Sequence, residues 1–355
     1  MKKRSKSVQV CNLLVKNKIM ALPRFYLLLI LLLSLNNIQA QSSKEKGLSA
    51  INEQRAKAYV GFLACDALQG REAGKRDARI AAEYIKSTLQ AMGIKPLFDD
   101  NYFQSFSAYS RERQKKARFS VHPDSISKYA SEKAHRKIEL NNVLGYIEGK
   151  KANEYVVVGA HFDHLGIDES LEGDKIYNGA DDNASGVSAV LQIAQAFIVA
   201  GEQPERTIIF AFWDGEELGL LGSEYFMANC DFTSSIKGYL NFDMIGRNKD
   251  ESQPQHVVYF YTESHPAFGE WLKIDIEKYD LNLTPDYRPW DKPIGGSDNS
   301  SFAKRDIPVI WYHTDGHPDY HQPTDHADRI NWSKLVDITK ASFLNMWNLA
   351  NMNTY

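Results

Sequence analysis

Short, almost unbroken apolar runs alternate with stretches of helical periodicity through the second half of the chain, and this alternation limits the fold more than any other feature. Runs over 143–147, 155–160, 207–213, 236–242, 257–261 and 309–312 read as strands. Stretches over 184–200, 218–227, 266–279 and 333–350 read as helices. A strand without polar alternation has to be covered on both faces, and a parallel sheet between two helical layers does this. The expected fold class is therefore α/β: a three-layer α/β/α sandwich with a mostly parallel, mixed central sheet. Upstream, 48–68 and 77–92 carry apolar residues at helical spacing, the second stopped by Gly93. A charge-rich polar excursion near 111–137 reads as a solvated insertion.

At the start of the chain, Arg24 precedes an apolar run over 25–35, and the small residue Ala40 follows it. A bilayer-spanning helix needs about 20 apolar residues, so this run is short for one. It reads as a secretory signal peptide cleaved before Gln41, with an N-terminal anchor as the other reading. The basic preamble over 1–19 is long for a signal peptide, and Met20 gives a more ordinary start. The expected organisation is a leader over 1–40 and a single domain over 41–355. The protein would be exported, periplasmic or secreted, with no stable membrane anchor after cleavage. Cys65 and Cys230 would remain, and their spacing suggests no disulfide framework. A net charge of −3 without a basic stripe argues against a nucleic-acid partner. Nothing in the sequence sets the oligomeric state.

In a sheet of this kind, functional groups gather beyond the carboxyl ends of the strands. The run ending at 160 leads into His161-Phe162-Asp163-His164. Residues two apart on an extended chain share a face, so Asp163 can orient the His161 imidazole by accepting its second N–H. The run 207–213 leads into Asp214-Gly215-Glu216-Glu217, where neighbouring acids diverge; one can hold a cation while the other faces a substrate. The plainer reading of that pair is favourable charge at a helix start. The run 236–242 is followed by Asp243, and 309–312 by a histidine-dense segment from His313 to Asp325. Between them, Y-N-G-A-D-D-N-A-S-G (177–186) sets Asp181 and Asp182 on a Gly-bounded turn before a helix. A carboxylate there can bridge two cations, although Asp and Asn are also common turn and N-cap residues.

The pieces H-F-D-H, N-G-A-D-D-N-A-S-G, W-D-G-E-E-L-G-L-L-G-S, N-F-D-M-I-G-R and H-P-D-Y-H-Q-P-T-D occur in that order. Together they resemble the co-catalytic zinc aminopeptidase family, which also includes glutamate carboxypeptidases and glutaminyl cyclases. The likeness extends from Phe62 to Leu349. It implies two Zn2+ ions, one on His161 and Asp243, the other on Glu217 and His321, with Asp182 bridging them. It further implies that Glu216 activates a metal-bridging water, that Tyr320 donates to the developing oxyanion, and that Asp163 backs His161. The implied activity is that of an exopeptidase on peptide substrates, specifically an aminopeptidase. Physical chemistry is consistent with this: nitrogen and oxygen donors suit zinc, and ions about 3.5 to 4 Å apart can share one oxygen.

His164 and Asp181 would be structural neighbours, and His313, His317 and His326 have no ligand counterpart in the family. A cyclase-like relative would use one zinc. A carboxypeptidase-like relative would need a basic pocket, to which Arg247 or Arg288 could contribute. A non-catalytic binding homologue would be expected to lack Glu216 or a ligand, and none is missing. In G-G-S-D-N-S-S-F (295–302), Asn299 stands where many relatives have histidine, a departure that bears on substrate preference. Tyr287, Trp290 and Phe302 are candidates for an apolar pocket, with packing as the alternative role.

Overall fold

Valine, isoleucine and phenylalanine dominate the central strands, and their side chains suit an extended backbone buried on both sides. The computed structural model describes residues 42–111, 118–132, 135–290 and 295–355. The expected leader and its cleavage before Gln41 lie outside the described residues. The helices are α1 (Ser43–Ser49), α2 (Glu53–Leu63), α3 (Arg76–Met92), α4 (Pro123–Ser131), α5 (Gly186–Ala200), α6 (Leu221–Asn229), α7 (Ala267–Tyr279), α8 (Asn299–Ala303) and α9 (Trp332–Asn351). The strands are β1 (Lys95–Pro96), β2 (Phe103–Arg111), β3 (His135–Ile147), β4 (Tyr155–His161), β5 (Gly166–Ile167), β6 (Ile176–Tyr177), β7 (Thr207–Trp213), β8 (Ile236–Phe242), β9 (His256–Tyr261), β10 (Thr284–Pro289) and β11 (Val309–His313).

Among the described residues, the nine-stranded sheet has the order β1-β3-β7-β4-β8-β11-β9-β10, with β2 paired to β3. β7, β4, β8 and β11 are parallel, and β3 and β9 join them antiparallel on either side. The sheet is thus mixed and mostly parallel at its centre. Side chains alternate across the pleat. Val156, Val158, Ile208 and Phe210 enter the core beneath α2, α3, α5 and α9. Val157, Ile209, Trp213 and Tyr239 pack on the opposite side with Phe226 of α6 and Phe302 of α8. Residues Ser42–Tyr355 form one compact unit. The helix over Ala180–Ala200 is long and apolar enough to cross a membrane, but it is 83% buried within the fold. A helix apolar on all sides belongs in such a core.

Within the polar excursion expected near 111–137, the helix α4 has no buried residue, and two long strands flank it. β2 and β3 pair from Phe103 opposite Val143 to Arg111 opposite His135, and α4 lies between the two strands in sequence. Only one face of this arm is covered: Phe106, Ala108 and Ser110 are buried while their neighbours are not. Half-polar strands of this kind lack the unbroken apolar signal of the sheet centre. Two helix starts also move. The chain winds irregularly over Ala180–Ser185 before α5. Glu216 accepts from the N–H groups of Gly219 and Leu220 in a tight turn, which delays α6 to Leu221. Cys65 and Cys230 are both free thiols.

Gly159 sits mid-strand in β4, where an added Cβ would lie 2.7 Å from Trp213 Nε1 and 2.9 Å from the Tyr239 hydroxyl. Those groups form a buried chain: Trp213 donates to Tyr239 at 2.9 Å, Tyr239 to Asn241 at 2.7 Å, and Asn241 to Ser297 at 3.0 Å. Gly159→Ala is expected to lower stability by roughly 1–3 kcal/mol through overpacking. The measurement is a denaturant midpoint that falls with an unchanged slope; a wild-type midpoint would refute the close-packing argument.

Candidate metal centre

The strands β4, β7, β8 and β11 end close together, His161 opposite Trp213 and Phe242 opposite Tyr312. The residues that follow are therefore delivered to one edge. Asp182 Oδ1 lies 3.3 Å from His161 Nε2, and Asp182 Oδ2 lies 3.1 Å from His321 Nε2. Asp243 Oδ1 is 3.7 Å from His161 Nε2, and Glu217 Oε2 is 3.3 Å from His321 Nε2. The other four expected ligands thus gather around Asp182. His161, Asp182 and Asp243 each offer a ligand atom within 4.8 Å of the others, and so do His164, Asp182 and Glu217. His164, set aside in the sequence as a neighbour, is buried with Nδ1 2.8 Å from Glu217 Oε1. It orients that carboxylate whichever histidine completes the group.

The frame around these side chains is built from backbone amides. Asp163 was expected to receive the second N–H of His161; its main-chain carbonyl lies 3.2 Å from His161 Nδ1, and its carboxylate is farther, at 3.7 Å. The carboxylate instead accepts from the N–H groups of Glu216 at 3.1 Å and Glu217 at 3.3 Å. It is this contact, not the start of α6, that fixes the acidic pair. Asp325 accepts from Asp181 N–H at 3.0 Å and Asp182 N–H at 3.0 Å, tying the His321 loop to the Asp182 loop. Asp181 accepts from Gly246 N–H and faces His317 Nε2 at 3.2 Å. Gly179 has φ of +58°, and a Cβ there would overlap the Asp182 carbonyl oxygen and the His164 ring. His321 itself holds a left-handed φ of +54°, which a non-glycine residue adopts only when its surroundings impose it.

Arg71 is the largest element the sequence reading missed. Its guanidinium is buried and donates to the carbonyls of Phe162 at 2.8 Å, Asn178 at 2.6 Å and Gly179 at 3.0 Å, and also to Leu63. Burial draws it down to about 10, against the pull of Asp182, Asp325 and Asp163. No local motif marks such a residue, because its partners lie up to 108 positions away.

Several candidates are elsewhere engaged. Arg247 pairs with Asp319 at 2.7 Å, and Arg288 with Asp286 and Asp315, so neither supplies a free cation to a pocket. Phe302 is buried, stacked on Tyr239 with centroids 3.8 Å apart, which makes it core. Tyr287 and Trp290 are exposed. His313 Nδ1 rests against the Asp243 carbonyl, and His326 against Asp174. Tyr320 stacks on His321 and lines a cavity of about 230 Å3 with Asp243, Met244, Trp311 and His313.

The electrostatics describe a centre short of positive charge. Burial would raise Asp182, but the His164, His161 and His321 imidazoles outweigh it and hold the carboxyl well below its ordinary range. Burial would lower His321, yet Asp182 and Glu217 raise it to about 10. Glu216 is pushed well above the usual carboxyl range by burial, with repulsion from Asp243, Glu217 and Asp298 adding to it and His161 opposing. Burial lifts Asp163 to about 6 and Asp298 to about 7, each drawn back by His161. Among the described residues, no Lys or Arg nitrogen approaches Asp182, Glu216, Glu217 or Asp243 within 4.0 Å. Buried carboxylates demand a partner, and an imidazole and carboxylate donor set of this composition fits zinc.

Residues 142–345, more than half of the sequence, match the family described as Peptidase family M28. The chain belongs to that family. Leupeptin-inactivating enzyme 1 of Streptomyces exfoliatus is 32% identical over 170 residues, which are 47% of this chain and 34% of that protein. The chain thus spans about a third of the length of that M28 relative. The zinc aminopeptidase BSAP from Bacillus subtilis superposes with a TM-score of 0.63 at 14% identity, covering 86% of this chain and 97% of that one. A glutaminyl cyclase of Bacteroides thetaiotaomicron superposes with a TM-score of 0.58 at 20% identity, covering 84% and 98%. At those identities the structures establish the shared fold.

If the carboxylates are the M28 metal site, zinc added to chelator-treated protein is expected to raise the melting temperature. At a free concentration of 100 times Kd the gain is about 2.7 kcal/mol. Asp182→Ala should abolish the rise. Differential scanning calorimetry decides, and a zinc-independent melting temperature in the wild type would refute the site.

Proposed function

We propose that this M28 protein is an exported zinc-dependent exopeptidase, specifically an aminopeptidase that removes N-terminal residues from peptides. The observation that supports it most is Asp182, whose two carboxylate oxygens face different imidazoles at 3.3 and 3.1 Å, as a residue shared by two ions requires. His161 and Asp243 would hold one zinc, Glu217 and His321 the other. When bound, zinc supplies Lewis acidity that polarises a carbonyl and makes water easier to deprotonate.

The chain's own residues supply the remainder. Glu216 takes the proton from the attacking water and passes it to the nitrogen of the leaving peptide. Asp163 fixes the backbone under Glu216 and Glu217, so both carboxylates keep their directions. The Tyr320 hydroxyl donates to the oxygen on which charge develops. The cavity of about 230 Å3 beside it, with Met244 and Trp311 among its walls, receives the first side chain of the substrate.

The test is a panel of aminoacyl reporters with free amines and N-blocked peptides, run with and without chelator. Aminoacyl substrates should be cleaved, N-blocked ones spared, and chelator should stop turnover. Glu216→Gln should retain zinc by elemental analysis and lose roughly 100-fold or more in kcat. Near-normal turnover of that variant would sink the assignment, and cyclisation of N-terminal glutamine by a one-zinc protein would replace it with a cyclase.

Export belongs to the same proposal and rests on the apolar run over 25–35 with its basic flank. N-terminal sequencing of the protein recovered outside the cytoplasm should begin at Gln41; recovery with the run still attached would refute cleavage.

A further inference from the structure

On the side of Glu217 and His321 opens a second and much larger cleft, of about 1250 Å3. Its walls come from the turn before α3, the first turn of α3, the β2–β3 arm and the Glu217–Gly219 turn. Five cations line it: Lys75, Arg79, Arg118, Arg136 and Lys137. The carboxylates among the lining residues are Glu72, Glu139 and Glu217. Glu139 is joined to Lys137 at 2.6 Å, and Glu217 belongs to the metal centre. Arg136 lies over the Phe119 ring, 5.4 Å from its centroid. Lys75, Arg79 and Arg118 are exposed, and no carboxylate lies within 4.0 Å of them among the described residues.

This excess is local, since the whole chain carries a net charge of −3. The cleft opens directly from the metal centre, with Glu217 and His321 in its wall. The part of a peptide beyond the scissile bond ends in a carboxylate and can carry others. Clefts lined by one sign of charge concentrate ligands of the other.

We infer that the basic cleft is the binding site for the leaving part of the substrate, and that the enzyme selects peptides with carboxylates a few residues beyond the scissile bond. The inference rests on the aminopeptidase reading of the metal centre. It assigns the β2–β3 arm, which supplies Arg136 and Lys137, a role in substrate choice.

The experiment compares Leu-Ala-Ala-Glu-Glu with Leu-Ala-Ala-Lys-Lys, each rate normalised to the tail-less reporter Leu-p-nitroanilide. In wild type the acidic tail should be preferred by about tenfold in kcat/KM, carried by KM, as several exposed charge pairs acting together allow. The preference should collapse at about 0.5 M NaCl, where screening reaches only a few ångströms. The double substitution Lys75→Glu with Arg79→Glu should invert it, and acidic residues at the start of α3 are compatible with the helix. Arg118→Glu is the second variant, on a different wall. Equal rates on the two tails, or an unchanged ratio in both variants, overturn the inference while leaving the aminopeptidase reading intact. Should no peptide be hydrolysed at all, that reading fails, and anisotropy of a coumarin-labelled Ala-Ala-Glu-Glu peptide still tests the cleft. Salt-sensitive binding lost in the double variant supports the cleft assignment. No binding, or tighter binding of a single-stranded oligonucleotide, overturns it.

Discussion

Asp182 is a buried carboxylate between two imidazoles, and the rest of the molecule is arranged so that it can stay there. An unpaired ion in a low-dielectric interior is penalised by several kcal/mol even after relaxation. Here the nearby acids Glu216, Glu217 and Asp243 raise that penalty, since like charges repel. The buried Arg71 guanidinium is spent on carbonyl oxygens, those of Leu63, Phe162, Asn178 and Gly179. The centre is thus built for cations brought from outside. That explains why the imidazoles are driven toward protonation when only protons are on offer.

Holding such a centre together is a task for the backbone. Asp163 and Asp325 each grip two consecutive N–H groups, one pair at Glu216 and Glu217, the other at Asp181 and Asp182. A carboxylate that accepts two main-chain amides fixes a peptide plane and with it the direction of the next side chain. Ser185 and Asn183 extend the same frame, Asn183 donating to the Phe242 carbonyl at 2.8 Å and Ser185 accepting from Ile245. Strand exits separated by some 60 residues are in this way locked in one register. The left-handed backbone at His321 persists because Asp325, four residues on, anchors the same loop.

The sequence made the strand exits legible, since β4, β7 and β11 are nearly continuous apolar runs, β8 is interrupted only by Lys237 and Asn241, and each leads into chemically distinctive residues. His161, Glu216, Glu217, Asp243 and His321 could therefore be named from position and residue type, and the structure brings them together. Arg71 and Asp325 could not be found that way. Their contacts are to backbone atoms far along the chain, and any residue supplies a backbone carbonyl. Alternation along a strand placed the Asp163 carboxylate near His161, at 3.7 Å, but gave no sign of its bonds to the amides of Glu216 and Glu217 in another loop. The β2–β3 arm escaped because one exposed face gives half-polar strands the look of a loop. His164 was set aside although its ring is within 2.8 Å of Glu217, a distance no spacing rule conveys.

Among the described residues, two cavities that flank the metal centre differ in a way the fold accounts for. The smaller cavity is walled by the end of β11 and by residues that follow β8 and β11, strands of the buried sheet centre, so Met244 and Trp311 give it an apolar side. The larger cleft is walled by the edge arm, whose outer face meets water and therefore carries charged side chains such as Arg136 and Lys137. Sheet position thus decides which wall is apolar and which is basic. A peptide laid across the centre with its first side chain on the apolar wall has its remainder pointing toward the cations. On the aminopeptidase reading proposed above, the basic wall beyond the scissile bond, more than any single contact, would orient a chain for trimming from its amino end.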